Sequence, residues 1–175
     1  MTNQPRSYDL IAFDWDGTLY DSTAAITLAI QRSVADLGYQ TPTREQASYV
    51  IGLGLKEALA HAAPDVPHDA YPALGQRYRH HFAQVMGELT MFDGALTLLQ
   101  DLKAAGYRLA VATGKSRIGL NEVLSTMDLK GVFDDSRTAD ETAGKPNPQM
   151  LFELMAAARV SPDRVLMVGD TSHDL

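Results

Sequence analysis

Three short apolar runs, Leu10-Ile11-Ala12-Phe13, Leu109-Ala110-Val111-Ala112 and Val165-Leu166-Met167-Val168, constrain this chain more than any other feature in it. None alternates apolar with polar residues, so none suits a strand with one wet face. Near-continuous apolar strands belong in parallel sheets covered on both sides. Each run ends in a polar or glycine-bearing turn: DWDGT, TGKS and GDTS. Strand, polar loop and helix in repetition mark an open α/β sheet, in which ligands sit beyond the carboxyl ends of the strands. Three such loops at three strand ends converge on one place.

Helical spacing fills the intervals. Residues 95–105 carry Leu96, Leu99, Leu102 and Ala105 on one face, with Gly106 suited to the C-cap. Residues 118–127 and 148–158 read the same way, with Ser116 able to cap the first and Pro148 in the first turn of the second. A fourth strand over 134–140 is short and polar. Between the first strand and the Phe92-Asp93-Gly94 turn the texture changes: helical patterns cover 22–37, 55–63 and 70–86, with breaks at Gly38, Pro42, Gly52-Leu53-Gly54 and Pro64 to Pro67. The expectation is an α/β core from 1–20 and 92–175, with residues 21–91 inserted as a helical unit.

Charge and composition narrow the function classes. The 175 residues carry a formal charge of -7, which argues against nucleic acid as the main partner, because a phosphate backbone needs a basic face. A small phosphorylated ligand needs only local positive charge and stays open. With no cysteine, disulfides and thiolate chemistry are excluded. No run approaches about 18 apolar residues and the N-terminus has no apolar signal core, so no membrane association is expected and a cytoplasmic location is.

Asp14 and Asp16 pose the chemical question. At strand spacing, residues i and i+2 face one side about 6–7 Å apart. Two carboxylates there repel unless one is protonated or a cation lies between them, and oxygen-only ligation suits Mg²⁺. Thr113 and Gly114, followed by Lys115, offer a hydroxyl and free amides at a helix start, an anion-binding arrangement, although Thr-Gly is also a common turn. Lys145, between Gly144 and Pro146, brings one fixed positive charge or is a solvated surface lysine. Asp170 and Asp174 add acids at the far strand end, with helix capping as the alternative for either; His173 between them reads as a solvent-facing or outer-shell group. The set is consistent with phosphate-ester chemistry. A cation and Lys145 offset the ester's charge, one carboxylate attacks phosphorus, and a second carboxylic acid protonates the leaving oxygen and then activates water.

Taken in order, DWDGT, Thr113-Gly114, Lys145-Pro146 and GDTSHD resemble the four motifs of the haloacid dehalogenase-like hydrolases, over nearly the whole chain. The helical insertion resembles the small cap of the phosphoglycolate phosphatase-like branch. The resemblance implies a Rossmann-like core with a parallel sheet, and Mg²⁺-dependent hydrolysis of a small phosphorylated metabolite. It makes Asp14 the nucleophile and a metal ligand, and Asp16 the general acid/base with its backbone carbonyl on the metal. Thr113 and the Gly114 amide would hold phosphoryl oxygens, and Lys145 would bridge nucleophile and phosphate. Asp170 would bind Mg²⁺ directly and Asp174 would support it through water. Gly17 and Thr18 would form the turn between core and cap, with Asp21 or Ser22 capping the first cap helix, and the Gly52-Leu53-Gly54 loop with Lys56 would face the substrate. Dehalogenation is disfavoured because Asp16 is present; a phosphomutase, a pyrophosphatase or nucleotidase, and a non-catalytic module on the same fold remain as alternatives. The family core ordinarily continues past the fourth motif with an edge strand and helices, so a missing C-terminal edge is expected, to be checked by the intact mass of the native product.

Overall fold

A parallel sheet needs cover on both faces, and the helices of this chain supply it most fully over the two inner strands. The structure, a computed structural model, describes residues 7–127, 129 and 131–174. Strand β1 (Leu10–Phe13) is followed by helices α1 (Thr23–Asp36), α2 (Arg44–Tyr49), α3 (Leu55–Ala62) and α4 (Tyr71–Val85). Then come α5 (Ala95–Ala104), β2 (Arg108–Thr113), α6 (Arg117–Thr126), β3 (Asp135–Thr138), α7 (Gln149–Ala158) and β4 (Val165–Val168). The four strands pair in the order β3-β2-β1-β4, all parallel. Phe13 stands level with Val111 on one side and Val168 on the other, so the three loops that follow leave the sheet at one height.

Alternation along the strands sorts their side chains between two cores. Ile11, Phe13, Leu109 and Val111 pack with Leu99 of α5 and with Leu120 and Val123 of α6. Leu10, Ala12, Ala110 and Ala112 pack with Met150 and Leu154 of α7. The alanines on that second face bring α7 close to the strands.

The weak fourth strand is real, and its polarity has a cause. β3 lies at one edge of the described sheet, and its residues Asp-Ser-Arg-Thr are tied down by partners rather than by apolar burial. Arg117 donates to Ser136 Oγ at 2.7 Å, while Arg137 pairs with Asp135 at 2.7 Å and with Glu153 of α7 at 2.8 Å.

The helical segment has its own apolar cluster, in which Ile30, Val34, Val50, Leu59 and Leu74 are all nearly inaccessible. α2 is absent from the periodicity reading. Its signal is local: Thr43 and Gln46 form a capping box, each side chain bonding the other's backbone amide. The chain enters and leaves this segment side by side. Asp21 N donates to Thr90 O at 3.0 Å, Phe92 N donates to Leu19 O at 3.0 Å, and Tyr20 and Met91 form an antiparallel bridge. Among the described residues, no helix is long and apolar enough to cross a membrane.

Adjacent leucines of α5 test this packing. Leu99 is fully buried against β2 and Leu98 is 49% exposed. Urea unfolding should show Leu99→Ala losing about 2–5 kcal/mol and Leu98→Ala about 0.5 kcal/mol. Equal losses would contradict the face assigned to α5.

Candidate active site at the carboxyl ends of the strands

The chain leaves β1 for β2 on one side and returns through β4 on the other, so the sheet's topological switch point lies between β1 and β4, where open α/β sheets bind ligands. Asp14 stands there. Its amide donates to Val168 O at 2.9 Å, which ties it to β4, and its side chain is 1% exposed. Gly17 follows with φ +86°, and a Cβ there would strike the Asp170 carboxylate, so this turn admits little but glycine. Thr18 Oγ1 donates to Asp170 Oδ1 at 2.9 Å, tying the β1 loop to the β4 loop.

Lys145, on the loop before α7, is 7% exposed. Its ammonium lies 2.6 Å from Asp14 Oδ1 and 2.6 Å from Asp174 Oδ1. Asp174 is further held by the Thr171 amide and hydroxyl, both donating to Oδ2. Asp14 is less well provided for. Lys145 gives it charge at close range, but neither carboxyl oxygen meets a donor in hydrogen-bonding alignment among the described groups. Burial pushes the Asp14 carboxyl up to about 7, Lys145 opposing the rise and the Asp174 and Asp16 charges adding to it.

One carboxylate oxygen from each of Asp14, Asp170 and Asp174 falls within 4.8 Å of the others. A buried carboxylate short of partners, facing two more carboxylates, fits a hard divalent cation. The Asp16 carboxylate lies outside this cluster. It accepts from Ser22 Oγ at 2.6 Å and pairs with Lys115 Nζ at 3.1 Å. Of Asp21 and Ser22, either of them expected to cap α1, Ser22 occupies the N-cap position but makes no side-chain cap bond; its hydroxyl goes to Asp16 instead. Ser116 does cap α6, accepting from Gly119 N at 3.2 Å.

At the end of β2, Thr113 is 1% exposed and its Oγ1 accepts from the Lys115 amide. Gly114 carries the helical segment directly, because a Cβ there would collide with the Gly52 and Leu53 carbonyls. His173 sits at the same seam: Nε2 lies 2.8 Å from the Tyr49 carbonyl oxygen, and its ring meets the Tyr49 ring edge-on at 5.2 Å. It therefore faces the helical segment rather than open solvent. Between helices and sheet lies a cavity of about 750 Å³, whose walls include Asp16, Gly114, Lys115 and the Gly52 to Lys56 loop.

Lys115 and Ser22 are the neighbours of Asp16 that the sequence did not assign to the site. Lys115 directly follows the Thr-Gly pair, so its position was visible, but its partner was not. Its ammonium also rests over the Phe82 ring of α4, 4.9 Å from the centroid.

A family model described as haloacid dehalogenase-like hydrolase matches residues 11–175. The chain is 31% identical over 171 residues to the tyrosine-protein kinase PtkA of Mycobacterium tuberculosis, covering 97% of this chain and 58% of that protein. It thus spans less than two thirds of that relative's length. It is also 31% identical over 175 residues to the phosphoglycolate phosphatase of Aliivibrio fischeri, covering 95% of this chain and 77% of that one. Among solved structures, a predicted phosphatase from Clostridium acetobutylicum superposes with a TM-score of 0.81 at 26% identity, over 97% of this chain and 79% of that chain.

The raised carboxyl of Asp14 has a stability consequence. A group held above its ordinary value keeps its proton more firmly folded than unfolded, so its contribution is present at low pH and lost as pH rises through about 7. In metal-free buffer at pH 8, Asp14→Asn should therefore melt higher than the native chain, by about 2–4 °C for each kcal/mol relieved. The gain should shrink towards pH 5; an equal gain at both pH values would show that the Asp14 charge is not its source.

Proposed function

The chain belongs to the haloacid dehalogenase-like hydrolases, and on that footing we propose that it is a Mg²⁺-dependent phosphatase acting on a small phosphate monoester through an aspartyl-phosphate. The observation that carries the proposal is Asp14: a buried carboxylate whose one close partner among the described residues is the Lys145 ammonium, with two further acids beside it. Asp14, Asp170 and Asp174 would hold the cation, with the Asp16 carbonyl as a further ligand. Mg²⁺ bound there supplies positive charge that favours the ionised form of Asp14 and offsets the charge of a phosphate ester.

The protein's own groups then divide the work. Asp14 attacks phosphorus, forming an O–P bond as the bond to the leaving oxygen breaks. Thr113 Oγ1 and the Gly114 amide orient the phosphoryl oxygens, and Lys145 balances charge between nucleophile and phosphate. Asp16, held by Ser22 and Lys115, gives its proton to the leaving alcohol and takes one from the water that cleaves the aspartyl-phosphate, so it ends protonated and ready for the next turnover. The helical residues 21–91 serve as the cap over residues 1–20 and 92–175, seated on Gly114 and His173.

One observation favours a second reading, phosphoryl transfer from a nucleotide to tyrosine: the 31% identity to the kinase PtkA. Phosphatase and kinase assays on one preparation separate the two. The phosphatase reading expects release of inorganic phosphate from a chromogenic aryl phosphate with Mg²⁺, none after chelation, and a loss of roughly a thousandfold or more in Asp14→Asn. Hydrolysis that survives in Asp14→Asn would overturn the nucleophile assignment. Transfer from ATP to a tyrosine peptide without ester hydrolysis would favour the second reading.

A further inference from the structure

The cavity beside Asp16 says what kind of alcohol leaves. Its volume of about 750 Å³ lies in the range that encloses drug-sized ligands, and a two-carbon acid would fill little of it. Its inner wall is apolar, built from Ile26 and Ile30 of α1, Leu59 of α3, and Tyr78 and Phe82 of α4. The last two rings stack, 5.9 Å apart and 10° from parallel, and form an aromatic slab on one wall. Tyr78, Phe82 and Asp16 all line this one cavity, so the slab and the Asp16 carboxyl share the same enclosed space.

Charge around the cavity points the same way. Besides Asp16 its lining holds Lys56, Arg79 and Lys115 with Glu57, Glu122 and Asp140, so bases do not outnumber acids. Lys115, which lies beside Asp16, is already engaged by that carboxylate and by the Phe82 face. A leaving group with its own carboxylate would enter an environment whose lining carries no surplus of positive charge. An uncharged aromatic body meets stacked rings and aliphatic walls, each favourable for apolar surface leaving water.

We propose that the substrate is a phosphate monoester of a bulky, uncharged, aromatic alcohol rather than of a small hydroxy acid. The proposal rests on the phosphatase reading above for the chemistry, and on the cavity for the substrate class. The alcohol oxygen faces Asp16 and the ring lies along Tyr78 and Phe82.

Gly75 supplies the test. It lies buried on the cavity side of α4, and a Cβ there would meet nothing nearer than the Arg79 guanidinium at 3.6 Å. Leucine at this position fills the cavity and suits the helix better than glycine. With native protein and Mg²⁺, kcat/KM for naphthyl phosphate should exceed that for phosphoglycolate at least tenfold. In Gly75→Leu the ratio of the two should fall at least tenfold, with an unchanged circular dichroism spectrum. A native preference for phosphoglycolate, or an unchanged ratio in Gly75→Leu, overturns the proposal.

Calorimetry separates this failure from failure of the phosphatase reading, because it needs no turnover. Native protein should bind naphthylmethylphosphonate at least tenfold more tightly than phosphonoacetate, and Gly75→Leu should abolish the difference. If no ester is hydrolysed but that preference holds, the chemistry is wrong and the cavity assignment stands. If the two phosphonates bind alike, the cavity assignment is wrong whatever the chemistry.

Discussion

One ammonium group sits between two carboxylates at the centre of this molecule. Lys145 lies 2.6 Å from both Asp14 and Asp174 and is almost wholly buried. Burying three charges costs several kcal/mol per ion before attraction is counted, and the cost is recovered only where geometry and further bonds are good. Asp174 has those further bonds from Thr171; Asp14 does not. The arrangement is thus incomplete at one atom group, the carboxylate at the end of the central strand. Three loops from β1, β3 and β4 must stay at fixed height for the triad to exist, and the level register of Phe13 and Val168 supplies part of that. The sheet holds the charges in place, and the charges in turn leave one buried acid short of partners.

Legibility in the sequence followed unbroken apolar runs rather than burial alone, for β4 is half-buried much as β3 is. β1 and β4 are found with the boundaries their apolar runs suggest, because both are short, continuous and flanked by turn residues. β3 carries no such run, since an edge strand held by arginine and carboxylate partners leaves no hydrophobic period to read. α2 spans only Arg44–Tyr49, too short for periodicity, and only its capping box announces it. Within the site, the strand-end residues Asp14, Thr113 and Asp170 could be found because a strand end is visible in one dimension. The partnership of Asp16 with Ser22 and Lys115 could not: Ser22 sits where a helix cap is the obvious use, and Lys115 reaches Asp16 only after β1 and β2 pair.

The seam between helices and sheet is built from backbone as much as from side chains. The Gly52 and Leu53 carbonyls leave no room for a side chain at Gly114, and the Tyr49 carbonyl meets His173. Such contacts fix the approach of the two parts while leaving the cavity walls to side chains. Tyr78 and Gly75 of α4 belong to none of these seam contacts, so the cavity wall they form can change without disturbing the seam, whereas Phe82 also meets Lys115 across it.

The paired crossing of Asp21 with Thr90 and of Leu19 with Phe92 gives the helical segment a single doorway. Both chain directions pass through it as neighbouring segments joined by backbone bonds. A segment attached this way is topologically a detachable cassette: its two ends already sit a hydrogen bond apart, so a tight turn could join them. Exchange of the whole cassette would leave the strand order of the sheet untouched. One charged triad can then keep its place on the sheet while the helical segment is replaced as a unit.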